Sequence, residues 1–402
     1  MKKRLLFVDD DPMVLSGLRR SLHNMRDTWD MHFVDSAAAA LQELEKEHYD
    51  AIVSDMRMPL MDGADLLDQV KQRYPDMVRM ILSGQSSREA VFRSISPAHQ
   101  FLSKPCDLGE LSSRLNQAFA MRDFLANEAL KTVISRLRSL PSLPALYDEL
   151  TAALRSEDSS LAQIAKIISK DVGMATKILQ LANSAFLGTS GRVSSLPQAL
   201  TLIGNETVRT LALSVHVFSQ FDGNPRVAAN LPALWDHSVA VSTLAQRIAN
   251  SEGCPKAMLE ECFTAGLLHD LGKVVLLAEL PKDYLKVSTT PPKEGTDPER
   301  DLLGCTHAEV GAYLMSIWGL PFPLVHAVAY HHHPKESAEK AFSPLTAVHV
   351  ADAIVSEGDT SPLNHDITLD HEYLRRLGLS DKEAGWRGLY QPTPAEPLNP
   401  AN

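Results

Sequence analysis

A chain of 402 residues is too long for one ordinary core, so two or three domains are expected. With 44% apolar and 22% charged residues, 20 glycines and 24 prolines, it reads as globular, which excludes a disordered or fibrous chain. Thirty-nine Lys and Arg against 50 Asp and Glu leave a net charge of −11, which opposes nonspecific binding to nucleic acid or anionic membrane, though it permits a local basic patch.

The opening Met-Lys-Lys-Arg-Leu-Leu-Phe-Val imitates a secretion leader only until Asp9, Asp10 and Asp11 end its apolar run. From residue 4 to about 105, short β-like runs alternate with helix-like ones: Arg4 to Val8 then Pro12 to Met25, Ala51 to Ser54 then Met61 to Arg73, Val78 to Leu82 then Ser86 to Ile95. This rhythm, with a fifth strand around Gln100 to Leu102, predicts an α/β domain, a doubly wound parallel sheet covered by helices. Leu5 to Val8 and Ala51 to Val53 are apolar without alternation, as strands buried on both faces are. Apolar residues from Leu108 to Leu137 then recur at steps of three and four, predicting one long connecting helix stopped by Pro141 and Pro144.

Beyond it the pattern is helical. Leu161, Ile164, Ala165 and Ile168 form one stripe, Val172, Ala175, Leu179 and Ala182 another. Ser195 to Gln198 resembles a capping box opening a helix through Ala199, Ile203 and Val208. Val287 to Pro298 reads as a loop and Gln391 to Asn402 as a frayed tail. The boundaries are 1–122 for the α/β domain, 123–140 for a helical linker, 141–385 for an all-α domain and 386–402 for a flexible tail. Cys106, Cys254, Cys262 and Cys305 form no CxxC pair, and no stretch approaches the about 18 continuous apolar residues of a membrane span. No membrane partner and a cytoplasmic location are therefore expected. With no basic helix-turn-helix signature, direct DNA binding is not.

Asp9, Asp10 and Asp11 follow the first strand, Asp55 ends the third, Ser83 the fourth, and Lys104 follows the fifth. These are carboxyl ends of strands, where open α/β sheets build their sites. Asp9 to Asp11 alone would read as caps of the next helix. Together with Asp55, Ser83 and Lys104 they make an oxygen-lined pocket suited to Mg²⁺, with a lysine placed to neutralise a phosphoryl group. Val8-Asp9-Asp10-Asp11-Pro12, Ser54-Asp55-Met56-Arg57-Met58-Pro59 with Asp62-Gly63, Leu82-Ser83-Gly84 and Phe101-Leu102-Ser103-Lys104-Pro105 resemble the receiver domain of two-component response regulators, a flavodoxin-like fold, over residues 1 to about 120. The resemblance implies that Asp55 accepts a phosphoryl group from a histidine kinase. It further implies Mg²⁺ bound by Asp9, Asp10, Asp55 and the Arg57 carbonyl, Lys104 and Ser83 contacting the phosphoryl oxygens, and Phe101 as a switch drawn inward.

In the second domain His269-Asp270 is embedded in an apolar helix, so the carboxylate needs a cation or hydrogen-bond donors. His237, His269-Asp270, His307, His331-His332 and Asp352 follow in an order that resembles the HD superfamily of metal-dependent phosphohydrolases, and Lys273 matches a lysine of that motif. His333-Pro334-Lys335-Glu336 lacks the Gly-Tyr-Pro signature of the cyclic-dinucleotide phosphodiesterases. Leu140-Pro-Ser-Leu-Pro144, Asp171-Val-Gly-Met174, Leu181-Ala-Asn-Ser-Ala185 and Ser195-Leu-Pro-Gln-Ala199 through Ile203-Gly204 resemble the HDOD family over residues 138 to about 355. That resemblance implies a signalling scaffold acting through a downstream protein partner. Two readings stay open for the histidines: a divalent centre holding Fe, Mn or another metal and hydrolysing a nucleotide, or a buried hydrogen-bond network. A homodimer is also compatible with the sequence. His216, His326, His349, His365 and His371 read as ordinary core or surface histidines.

Overall fold

The computed structural model describes residues 2–83, 98–104, 107–125, 131, 134, 141–142, 146, 149–150, 152–153, 160–183, 193–204, 219–220, 225–287, 290, 297–357 and 367–390. Five strands form the first domain's sheet: β1 Lys3–Val8, β2 Trp29–Val34, β3 Ala51–Asp55, β4 Val78–Ser83 and β5 Gln100–Ser103. They pair in parallel in the order β2-β1-β3-β4-β5, with Phe7 opposite Val53 and Ile81 opposite Phe101.

Successive side chains of a strand point to opposite faces, and both faces are covered. Leu6, Val8, Ile52, Ile81 and Phe101 pack with Leu66 and Leu67 on one side. Leu5, Phe7, Val53, Met80 and Leu102 pack with Leu18, Leu111 and Leu115 on the other. The helices start where side chains can satisfy their first amides. Asp11 caps Pro12–Ser21, Ser36 caps Ala37–Lys46, Asp62 caps Gly63–Arg73 and Asp107 caps Leu108–Phe124.

Several local expectations change. The Pro12 to Met25 helix ends at Ser21, and His23–Met25 is a separate 3₁₀ turn. The expected helix from Leu108 to Leu137 stops at Phe124, because Leu125 turns extended with φ −76° and ψ 104°. The first helix residue after Ser195 is Leu196, and Gly204 with φ +77° ends that helix at Ile203; Val208 lies outside the described residues. Ser195 caps it from one side only, accepting from the Gln198 amide. Reciprocal capping boxes occur instead at Ser160 with Gln163 and at Thr306 with Glu309. The helix expected from Ser86 to Ile95 also lies outside the described residues.

The second domain is helical apart from one short parallel pairing of Pro141–Ser142 with Ser219–Gln220. Its centre is formed by helices Pro225–Ser251, Lys256–Leu268, Leu271–Glu279, His307–Ile317, Phe322–Tyr330 and Pro344–Ser356. One continuous core runs through all of them. Gly272 permits a close crossing, since a Cβ there would lie 1.9 Å from the His307 carbonyl oxygen. Of the segment read as a loop from Val287 to Pro298, Val287 is the last residue of the helix Pro281–Val287 and Pro298 the first of Pro298–Leu303, while residues 288–289 and 291–296 lie outside the described residues. Trp386 is 2% exposed and donates to Glu252, so the packed chain extends past residue 385. Among the described residues no helix is long and apolar enough to cross a membrane.

The two domains touch through β5 and helix Leu108–Phe124. Gln100 donates to the Ser316 carbonyl at 2.9 Å, Gln117 to that of Leu320 at 3.2 Å, and Arg114 to that of Asn183 at 3.4 Å. Phe124 packs on Tyr330 with ring centroids 5.8 Å apart.

Candidate functional site

At the carboxyl end of the sheet, Asp55 is the last residue of β3, and Asp9 directly follows β1. Both are buried, at 6% and 2% exposure, which is costly for carboxylates without a cation. Lys104 supplies one. Its Nζ lies 2.6 Å from Asp9 Oδ2 and bonds Asp55 Oδ1. Asp55 Oδ2 accepts from the Arg57 amide at 2.6 Å, and Asp9 Oδ1 from the Asp11 amide at 3.0 Å. Burial pushes the Asp55 carboxyl up, an effect that Lys104 only partly offsets. For Lys104, burial alone would lower the ammonium, but the bonds to Asp55 and Asp9 win and raise it.

Gly63 permits this crowding, since a Cβ there would lie 2.1 Å from the Asp55 carbonyl oxygen. Asp10 is exposed beside the pocket. Phe101 is already inward, at 5% exposure. Ser83 ends β4, and its side chain lies outside the described residues. The donors gathered at this end are all oxygens, the chemistry Mg²⁺ takes.

The second domain draws its seven candidates from five places. His237 comes from Pro225–Ser251, His269 and Asp270 from the junction of Lys256–Leu268 with Leu271–Glu279, and His307 from the first position of His307–Ile317. His331 and His332 follow Phe322–Tyr330, and Asp352 lies within Pro344–Ser356. All seven converge. His237 Nε2 is 3.0 Å from Asp352 Oδ1, and His269 Nε2 is 3.4 Å from Asp270 Oδ2 and 3.6 Å from Asp352 Oδ1. His307 Nε2 is 3.3 Å from Asp270 Oδ1, 3.3 Å from His331 Nε2 and 3.1 Å from His332 Nε2. Exposed His333 stays outside the cluster.

The ring orientations are fixed from behind. His269 Nδ1 donates to the Gly266 carbonyl and His331 Nδ1 to that of Val328, each at 2.7 Å. A carbonyl only accepts, so these bonds place the proton on Nδ1 and turn the Nε2 lone pairs inward. Three groups offer ligand atoms within 4.8 Å of one another: His307, His331 and His332; His237, His269 and Asp352; and His269, Asp270 and His331. Among the described residues, His269 Nε2 and both Asp270 oxygens have no hydrogen-bond partner, although Lys273 Nζ stands 2.8 Å from Asp270 Oδ2 as an ion pair.

Burial alone would raise the Asp270 carboxyl, but His269, Lys273 and His307 hold it well below the ordinary range. His331 is pushed down to about 3 by burial and by its neighbours His269 and His307. His307 goes the other way, to about 9, because Glu299 and Asp270 outweigh its burial. Converging imidazole lone pairs beside orphaned carboxylate oxygens are a donor set that fits divalent cations.

Of the histidines read as ordinary, His349 is a satisfied core residue, bonded to the His331 carbonyl and the Asp370 amide. His326 faces Glu339, and His371 is exposed near Glu383. His216 and His365 lie outside the described residues. Two groups that the sequence reading did not single out back the cluster, Glu299 and Tyr284. An acid in the first turn of a short helix ordinarily reads as a solvated partner of the helix dipole, so nothing in the sequence marked Glu299.

Residues 5–116 match the response regulator receiver domain and residues 140–334 the HDOD domain. An uncharacterized protein of Treponema pallidum is 27% identical over 220 residues, 53% of this chain and 41% of that protein. The response regulator protein PilR of Pseudomonas aeruginosa is 29% identical over 158 residues, 39% of this chain and 35% of PilR. The chain thus spans less than half the length of either relative. Among solved structures, the MmoQ response regulator of Methylococcus capsulatus is 25% identical, covering 62% of this chain and 98% of that one with a TM-score of 0.48. The receiver domain of an HD domain-containing protein from Pseudomonas fluorescens is 30% identical, covering 31% of this chain and 99% of that one with a TM-score of 0.30. A five-stranded parallel sheet with strand-end acids, joined to this helical domain, makes the chain a response regulator that belongs to the receiver family in its first part and to the HDOD family in its second.

Proposed function

We propose that the chain transduces a phosphorylation signal, with Asp55 as acceptor and the HDOD domain as an output that works by binding a downstream protein. A carboxylate oxygen of Asp55 takes the phosphoryl group as the P–N bond of a histidine kinase's phosphohistidine breaks. Mg²⁺, held by Asp9, Asp10, Asp55 and the Arg57 carbonyl, would neutralise phosphoryl oxygens when bound. Ser83 and Lys104 would complete their coordination.

The observation that carries this reading is the position of Lys104. It now bridges Asp9 and Asp55, and it follows the strand whose first residue, Gln100, bonds the HDOD domain. A phosphoryl group adds about −1.5 to −2 charges beside that ammonium. Re-pairing Lys104 therefore pulls on β5, which touches helix His307–Ile317 and so reaches His307 at its far end.

Incubation with acetyl phosphate and Mg²⁺ should label Asp55 by mass spectrometry. It should also change hydrogen exchange across His307–Ile317, with both effects lost in Asp55→Asn. Label elsewhere, or an unchanged exchange pattern in a labelled protein, overturns the reading.

A second reading is favoured by Asp270 Oδ1 and His269 Nε2, which converge without a hydrogen-bond partner among the described residues. The cluster would hold one or two divalent ions such as Mn or Fe, which when bound supply hydroxide and charge neutralisation for hydrolysing a nucleotide phosphodiester. Its test is release of linear product from a cyclic dinucleotide by the Mn²⁺-loaded full chain, compared with Asp270→Ala. Equal rates exclude it.

A further inference from the structure

His307 differs from His269 and His331 in what stands behind it. His269 and His331 are held by backbone carbonyls, whereas His307 Nδ1 lies 2.8 Å from a carboxylate oxygen, Glu299 Oε2. The same oxygen accepts from the His307 amide at 2.6 Å, so ring and backbone are gripped together. The other oxygen, Oε1, accepts from the Tyr284 hydroxyl at 2.9 Å. Glu299 is 2% exposed and Tyr284 1%.

The local sequence builds this arrangement. Asp297 caps the Pro298–Leu303 helix and accepts from the Glu299 amide, putting Glu299 in its first turn. Gly304, in the left-handed region at φ +74°, ends the helix after six residues. The chain then folds back so that Thr306 caps the next helix with His307 as its first residue, beside Glu299. A carboxylate buried this deeply is tolerated because an amide, an imidazole and a phenol all donate to it.

We propose that Glu299 is the positioning residue of the HDOD centre: through Nδ1 it locks the His307 ring so that Nε2 faces Asp270 and His331, and Tyr284 holds Glu299 in place. This rests on the metal-centre reading above and adds to it the residue that prepares one ligand. A carboxylate behind a ligating histidine fixes its orientation and makes it a stronger donor, and losing such a partner weakens metal binding by about 10- to 100-fold.

The test measures Zn²⁺ affinity of the full chain by competition with a chromophoric chelator, because imidazole-rich sites take Zn²⁺ in preference to the all-oxygen receiver pocket. Wild type against Asp270→Ala defines the binding that belongs to the cluster. Glu299→Ala should weaken that binding about 10-fold or more. Glu299→Gln, whose amide oxygen can still accept from Nδ1 and the amide while its NH₂ meets the Tyr284 oxygen, should stay within a few-fold of wild type. Tyr284→Phe, which frees Oε1 alone, should fall between them.

If wild type and Asp270→Ala bind equally, the metal-centre reading fails. If cluster binding exists and folded Glu299→Ala keeps it within two-fold, the positioning role fails. Should Glu299→Ala not fold, Tyr284→Phe decides: weakening without loss of thermal stability supports the role, and unchanged affinity overturns it.

Discussion

A buried ammonium costs stability unless something offsets its charge, and Lys177 is 2% exposed with a neutral partner, Gln180 Oε1 at 3.0 Å, and the Trp318 ring at 4.3 Å. Burial, with repulsion from the receiver's Lys71 added, brings it down from 10.5 to about 7. Between those two values the unfolded chain holds one more proton than the folded one, so stability rises with pH across that window, by about 1.4 kcal/mol per unit. Below about 7 both states are protonated and the dependence vanishes. Lys177→Met should remove this slope, as urea denaturation of the helical domain between pH 7.5 and 9.5 would reveal. Leu60 is another residue under strain, fully exposed at φ +70°, where an L side chain crowds its own carbonyl. Leu60→Gly should therefore stabilise the receiver by about 1 kcal/mol, read as a raised melting temperature. Asp55 and His269-Asp270 were legible because a charged group amid apolar residues demands an explanation wherever it folds. Glu299 was not, because its burial depends on Tyr284 and His307 arriving from other helices.

At the scale of elements, helix His307–Ile317 touches both the histidine cluster and the receiver. Its first residue enters the histidine cluster, its middle lies against Gly272 and its last turn meets the receiver. Gly272→Ala would place a methyl group 1.9 Å from the His307 carbonyl oxygen, a clash that only separation of the helices relieves. We expect a loss of about 2 kcal/mol or more, with metal affinity falling in parallel, measured by denaturation and the chelator assay. Four of the five strands were readable because residues buried on both faces leave continuous apolar runs, whereas β2, an edge strand reading Trp-Asp-Met-His-Phe-Val and mostly half-buried, has no such run and was not placed. Helix ends were less so. The apolar period carries on past Phe124, but periodicity reports which face would be buried, not whether the backbone continues, and Leu125 turns extended there.

For the whole molecule, the polar contacts of the domain interface run from side-chain amides and a guanidinium of the receiver to backbone carbonyls of the helical domain, beside the apolar packing of Phe124 on Tyr330. A methyl group on Gly319 would lie 2.9 Å from Arg114 Nη1 and 3.2 Å from Gln100. Gly319 also sits at φ +73°, where an L side chain is strained, so Gly319→Ala should speed exchange at Ser316 to Leu320 through its own turn and, if Arg114 and Gln100 must shift from their carbonyl partners, raise the radius of gyration in solution scattering as well. An unchanged radius would mean that the domains do not meet tightly at this point.

The amino-acid sequence by itself determined the two fold classes, the strand-end acids and the identity of the histidines and aspartates that meet in the second domain. The fold classes and the strand-end acids follow from local periodicity and from where charged groups fall in it, and His269-Asp270 from a charge set amid apolar residues, whereas the other five members of the cluster stood out through the resemblance to the HD superfamily. Only the tertiary structure decided which oxygens Lys104 bridges, which ring nitrogens turn inward, that Glu299 stands behind His307, and that one helix joins the receiver to the cluster. The Lys104 bridge and the link through the helix are distances between segments far apart in the chain, set by packing of whole helices; the ring orientations and the Glu299–His307 pair are made within three and eight residues, but their meaning for the cluster depends on the helices that converge there.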